Sequence, residues 1–290
     1  MQELLDIDGH QIAVLGFNVE KGSLPFIFIH GILASVQFWP PVQTPLIRQY
    51  YTWYALSLPG HYPSRFAEGF DRESLSPELV ADIFAKAIRK LVGKQRVVLV
   101  GHSTGGFSAL TIAAHAPELV HAVVSVAGFA SGVWTGGLGI MQNLARNGAS
   151  LGDGMFESAI NVVISSKANL NAHLRLYAAD AKALYNYPKI DRIVERLYES
   201  AQYLEASAML PWFSRMPDID IGDLLPHIAA PTLVVVGDKD PIVPADESYR
   251  IAKAVPYANL VTLKGVGHLP MFERPNPYHR AIQDWISFNL

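Results

Sequence analysis

Short apolar runs and amphipathic stretches alternate along the chain up to Phe129, and the alternation resumes at Pro231. The runs Pro25–Ile29, Thr52–Ser57, Val97–Val100, Ala122–Ala127, Thr232–Val236 and Asn259–Leu263 predict strands, buried ones where every position is apolar. Leu4–Ile7 and Gln11–Asn18 flank Asp8-Gly9, a strong turn dipeptide, and predict a hairpin. Between the strands, Phe38–Tyr50, Phe107–Ala116, Ala245–Val255 and Pro277–Phe288 predict helices. Another opens at Ser76-Pro77, with Ser76 as N-cap and Pro77 in the first turn, and carries Leu79, Ile83, Ala87 and Leu91 at helical spacing. Strands alternating with helices predict an α/β fold with a mostly parallel sheet covered on both faces.

From about Phe129 to Pro217 the strand pattern vanishes. Glycines cluster first (Gly132, Gly136, Gly137, Gly139), and helical stretches follow, the longest expected over Ala168–Leu184 and Ile190–Met209. The expected organisation is a core made of residues 1–129 and 217–290, with a helical cap inserted at 130–216. Most aromatics of this block, Trp134 and Trp212 among them, are expected to hold it together. As a group, set over a reactive side chain, its Met and aromatic residues would make an apolar pocket.

The candidate chemistry sits at one of the strand ends. After Val97–Val100 comes Gly101-His102-Ser103-Thr104-Gly105-Gly106, and then a helix. Gly-x-Ser-x-Gly between strand and helix is the spacing of a nucleophile elbow, a strained turn that lifts one side chain above the sheet edge. A serine hydroxyl needs a base within reach, and that base needs an orienting acceptor. On an open α/β sheet these follow in the order Ser, acid, His, each after a strand. Ser103, Asp240 and His268 satisfy that order. His268 is one of ten histidines, but it lies in a Gly-flanked loop directly after a strand. Asp238 competes with Asp240, and is read as a turn-forming residue. Asp240 precedes Pro241-Ile242-Val243-Pro244, whose prolines would stiffen the loop that aims it. The early His30-Gly31-Ile32-Leu33 turn is where an oxyanion donor would lie, from Ile32 with Leu33 as the fallback. His30 itself is read as a buried imidazole bracing that loop.

Composition narrows the partners. In 290 residues, 50% are hydrophobic and 17% charged, which suits a compact globular chain rather than a disordered one. A net charge of −3 without a basic cluster argues against nucleic acid. The absence of Cys removes disulfides and thiolate chemistry. No metal-ligand spacing is visible, and no metal or organic cofactor is expected. The first residues show no basic segment followed by an apolar one, and no run reaches the roughly 18 residues of a membrane span. A soluble, cytoplasmic protein with no membrane partner is expected.

Taken in order, His30-Gly31, Leu58-Pro59-Gly60-His61, Gly101-His102-Ser103-Thr104-Gly105-Gly106, Gly237-Asp238-Lys239-Asp240-Pro241 and Gly265-Val266-Gly267-His268 resemble the α/β-hydrolase superfamily, in its capped branch of small esterases, lactonases and carbon–carbon bond hydrolases. The resemblance implies an eight-stranded type of sheet under a helical cap. It implies Ser103 as nucleophile, His268 as base, Asp240 as acid, and the N–H groups of Ile32 and Thr104 as the oxyanion hole. Two positions depart from the family's habit: Tyr62 stands where a second Gly is common, and Thr104 where Met is common. Both bear on pocket shape rather than on the triad. The expected activity is cleavage of a largely apolar ester or lactone through an acyl-enzyme. Carbon–carbon bond hydrolysis or acyl transfer would use the same residues, and a non-enzymatic small-molecule receptor could use the same fold. Epoxide and haloalkane hydrolysis are disfavoured, because the family then carries Asp at the position of Ser103.

Overall fold

The computed structural model describes residues 2–146 and 150–290. Met1, with which the expected leaderless N-terminus begins, and residues 147–149 of the expected cap lie outside the described residues.

Among the described residues eight strands form one sheet in the order β1-β2-β4-β3-β5-β6-β7-β8. They are β1 (Gln2–Ile7), β2 (His10–Phe17), β3 (Phe26–Ile29), β4 (Trp53–Leu56), β5 (Val97–His102), β6 (Val120–Val126), β7 (Thr232–Gly237) and β8 (Ala258–Leu263). β1 and β2 pair antiparallel across the Asp8-Gly9 turn, where both residues take positive φ, and β2 also runs antiparallel to β4. The remaining pairs are parallel. β3, β4, β5 and β7 are buried at every position, as continuous apolar runs require when helices cover both faces. β8 is an edge strand and buries only Leu263.

The covering helices follow the sequence where capping chemistry is strong. α2 (Pro77–Val92) starts where Ser76 Oγ accepts the Leu79 N–H at 3.3 Å. α3 (Thr104–His115), α10 (Ala245–Ala254) and α12 (Pro275–Asn289), the last preceded by the single turn α11 (Pro270–Glu273), lie close to their expected spans. The expected helix Phe38–Tyr50 is not continuous. A 3₁₀ turn covers Val36–Phe38, Pro40 and Pro41 interrupt, and only α1 (Pro45–Tyr50) is helical, started by Thr44.

Between β6 and β7 the described residues form helices joined by loops, with a single isolated bridge between Ser131 and Asp220. The helices are α4 (Gly136–Arg146), α5 (Ser150–Ile164), α6 (Lys167–Arg175), α7 (Ala181–Tyr185), α8 (Ile190–Ala201) and α9 (Leu210–Arg215). The expected helix Ala168–Leu184 is therefore two, because Asp180 accepts the Ala183 N–H at 2.9 Å and starts a new one. The expected helix Ile190–Met209 ends at Ala201. α4 runs through the glycine cluster, where helix propensity is low, and its Gln142 carboxamide binds back to the Trp134 N–H and the Gly132 carbonyl. No helix among the described residues is long and apolar enough to cross a membrane.

All the loops that carry candidate chemistry leave the sheet at the C-terminal ends of parallel strands: Ile29, His102, Gly237 and Leu263 precede them. In open α/β sheets this edge is where ligands bind.

Candidate active site

Ser103 joins β5 to α3 with φ of 55° and ψ of −120°, a conformation that costs a non-glycine residue on the order of 1–3 kcal/mol. The flanking glycines make the turn possible. A Cβ at Gly101 would run into the Gly105 carbonyl, and one at Gly105 into the Ile29 carbonyl at the end of β3. Gly105→Ala is accordingly expected to destabilise the fold by about 3 kcal/mol or more, read as a fall of roughly 5–10 °C in melting temperature. An unchanged melt would mean that β3 and α3 are not held this close.

Asp240 and His268 meet at the same sheet edge. His268 Nδ1 lies 2.6 Å from Asp240 Oδ2, with the side chains 3% and 1% exposed. The other carboxylate oxygen, Oδ1, accepts the N–H groups of Ile242 at 2.8 Å and Val243 at 2.9 Å, so the Asp240 loop is locked by its own backbone. Asp238 faces elsewhere and accepts the Gly265 N–H at 2.6 Å, the turn role read from the sequence. Ser103 and His268 line one cavity, together with Ile32 and leucines of the β6–β7 segment.

Buried histidines brace the surrounding loops. His30 Nδ1 donates to the Gly31 carbonyl at 2.8 Å, which leaves Nε2 to accept from the Ser57 hydroxyl at 2.8 Å and the Leu58 N–H at 3.3 Å. His61 Nδ1 donates to the Pro59 carbonyl at 3.3 Å, and its Nε2 accepts the Leu33 N–H at 3.1 Å. The Leu33 N–H, the fallback oxyanion donor, is thus already committed. His102 Nε2 donates to the His268 carbonyl at 2.8 Å, and its ring packs 4.8 Å from the His268 ring. Burial, with His268 alongside, pushes His102 down to about 3. Burial likewise pushes His61 to about 4 and His30 well below its ordinary value.

Three residues that matter here escaped the sequence reading. The Glu273 carboxylate is buried and accepts the N–H groups of Ala179 at 2.9 Å, Asp180 at 3.0 Å and Gly267 at 3.0 Å. Burial raises its pKa against those amides. Together with the His268 N–H, which donates to the Tyr177 carbonyl at 2.8 Å, it ties the His268 loop to the segment after α6. Nothing local announces this, since Glu273 becomes buried only when distant segments meet over it. The other two, His173 and Tyr177, line the Ser103 cavity and bond to each other at 2.7 Å. Their spacing of four residues inside an expected helix was the available signal.

The cavity is small, about 30 Å³. Leu33, Ala34 and Leu197 also line a smaller cavity that reaches Tyr62. The Tyr62 ring lies 5.2 Å from that of Tyr203, and both border an open surface groove. Among the described residues no group of three or more His, Asp or Glu converges as a metal site would.

Known proteins similar to this chain are numerous. At 27% identity over 206 residues, the chain is similar to 2-hydroxy-6-oxononadienedioate/2-hydroxy-6-oxononatrienedioate hydrolase 2 of Pseudomonas putida. The match covers 70% of this chain and 66% of that protein, just under two thirds of its length. A protein of Pseudomonas syringae pv. syringae, provisionally named carbamate hydrolase RutD, is 26% identical over 258 residues, covering 89% of this chain and 91% of its own. Among solved structures, the enol-lactonase of Burkholderia xenovorans LB400 superposes with a TM-score of 0.76 at 16% identity, over 98% of this chain and all of that one, which is a likeness of fold. A family model for the alpha/beta hydrolase fold matches residues 25–275. With its sheet order, its Ser103 elbow and that match, the chain belongs to the α/β-hydrolase family.

Proposed function

We propose that the protein is a serine hydrolase that cleaves a neutral, largely apolar carboxylic ester or lactone through an acyl-enzyme on Ser103. The His268–Asp240 hydrogen bond at 2.6 Å beside the strained Ser103 turn carries this reading. His268 takes the Ser103 proton as the hydroxyl attacks the carbonyl. Asp240 holds the imidazole tautomer and stabilises the imidazolium. The N–H groups of Ile32 and Thr104 receive the oxyanion, each contributing on the order of 3 kcal/mol to the barrier lowering. Water activated by His268 then releases the acid.

Residues 130–216 serve as the cap. Leu138, Leu170, Leu174 and Leu197 from this segment close the cavity over Ser103. Since the free space is about 30 Å³, a substrate enters by displacing them.

Carbon–carbon bond hydrolysis is the second reading, favoured by the relatives named for a hydroxy-oxo-dienedioate. The same triad would serve it. That substrate carries two carboxylates, and the cavity lining contains no Lys or Arg to receive them. An unpaired buried carboxylate costs several kcal/mol. The test compares kcat/KM for 4-nitrophenyl hexanoate and for 2-hydroxy-6-oxononadienedioate. The ester is expected to lead by at least about a hundredfold. Faster turnover of the dienedioate would replace the ester reading with the carbon–carbon one. Turnover of neither would favour a receptor.

A further inference from the structure

The side chains that the β6–β7 segment turns into the Ser103 cavity are Leu138, Leu170, Leu174 and Leu197, with two exceptions, His173 and Tyr177. These two lie one helical turn apart, and His173 Nε2 is 2.7 Å from the Tyr177 hydroxyl. Both residues are buried, and neither side chain has a second hydrogen-bond partner among the described residues. Burial pushes His173 down to about 4 and lifts Tyr177 above its ordinary value, so the pair is neutral at physiological pH.

A neutral imidazole has one donor and one acceptor, and a phenol has one donor and acceptor capacity. Their mutual bond uses one donor. Whichever tautomer His173 takes, one donor of the pair remains, either its Nδ1–H or the Tyr177 O–H. A donor without a protein partner at the wall of an apolar cavity is open to an acceptor atom of a ligand. The Tyr177 ring stands 5.9 Å from the His268 ring, so the pair lies at the same end of the cavity as His268.

We infer that the His173–Tyr177 pair is a recognition site for a second, uncharged oxygen of the substrate, and that the acyl group carries a keto, hydroxyl or ring oxygen beyond its reacting carbonyl. The inference rests on the hydrolase reading for the word acyl, and on the cavity alone for the oxygen. A carboxylate is a poor fit because the pair has no positive charge to offer. A plain alkyl chain leaves the spare donor unpaired.

Two matched ligand pairs test it. The first is 4-nitrophenyl 5-oxohexanoate against 4-nitrophenyl 5-methylhexanoate, which differ only by a carbonyl oxygen in place of a methyl group. Wild type is expected to prefer the oxo ester by about tenfold in kcat/KM. Tyr177→Phe leaves the His173 N–H in place and lowers that ratio, and His173→Leu/Tyr177→Phe, which removes every donor of the pair, brings it to one or below. The second pair, 5-oxohexanamide and 5-methylhexanamide, is read by calorimetry without turnover, and the oxo amide should bind about tenfold tighter to wild type only. Equal treatment of the two amides by wild type overturns the inference. So does a His173→Leu/Tyr177→Phe protein that keeps the wild-type ratio. Amide discrimination in a protein that hydrolyses no ester would leave the recognition site standing and remove the hydrolase reading.

Discussion

Replacing Ser103 with alanine is expected to lower kcat on 4-nitrophenyl hexanoate by about 10⁶-fold while the protein stays folded. Three observations set the size of the effect. The residue sits at the strained elbow, so its Oγ is the atom the turn presents. His268, the proposed base, lies in the same cavity, and its Nδ1 is bound to Asp240. Without Oγ, the orienting pair has no nucleophile to activate. Alanine accepts the same backbone conformation no worse than serine does, so the elbow amides stay in place. Residual activity then reports what binding and the oxyanion donors accomplish alone, about 10³–10⁴ over water. A variant that keeps a hundredth of wild-type kcat, with the absence of contaminating esterase verified, would remove Ser103 from the nucleophile role.

Stability is expected to collapse between pH 6.5 and 4, the second large effect. His30, His61, His102 and His173 are all held below their ordinary pKa by burial, the last three to about 4, 3 and 4. A depressed histidine pKa means that, in this window, the unfolded chain binds protons that the folded one refuses. Stability therefore rises with pH through the window and is lost as pH falls. Each such group contributes up to about 1.4 kcal/mol per pH unit, and the set about 5. Set against a typical total of about 5–15 kcal/mol, one to three pH units suffice to unfold the protein. Glu273 acts in the opposite sense, because its raised pKa favours the folded state at low pH, but it is one group. Denaturant melts at pH 7, 6 and 5 measure the slope. A flat profile would mean that these imidazoles take up protons in place.

The histidines also illustrate how unevenly a site can be read from sequence. His30 was recognisable as a loop brace from its position at a strand end, and it binds Gly31, Ser57 and Leu58 as such a brace should. His102 carries no such local signal, and its Nε2 holds the carbonyl of His268, 166 residues away. The strands were legible because unbroken Val and Ile runs suit a sheet covered on both faces. Helix ends were legible where Ser76 or Pro77 stood. They were misjudged at Pro40-Pro41 and at Asp180, where breakers and caps outweighed an apolar period.

By itself the sequence determined the local geometry that a few residues dictate: the Asp8-Gly9 hairpin, the buried strands, and the glycine-flanked turn at Ser103. Those features depend on backbone freedom and on side-chain pattern within a dozen residues. The tertiary structure alone decided what depends on distant segments meeting. It committed the Leu33 N–H to His61, and buried Glu273 between two segments, the Ala179-Asp180 turn and the Gly267–Leu269 loop. It also turned His173 and Tyr177 toward Ser103. Hydrogen bonds and desolvation act over a few ångströms, and which groups come that close is a property of the packed chain rather than of any stretch of it.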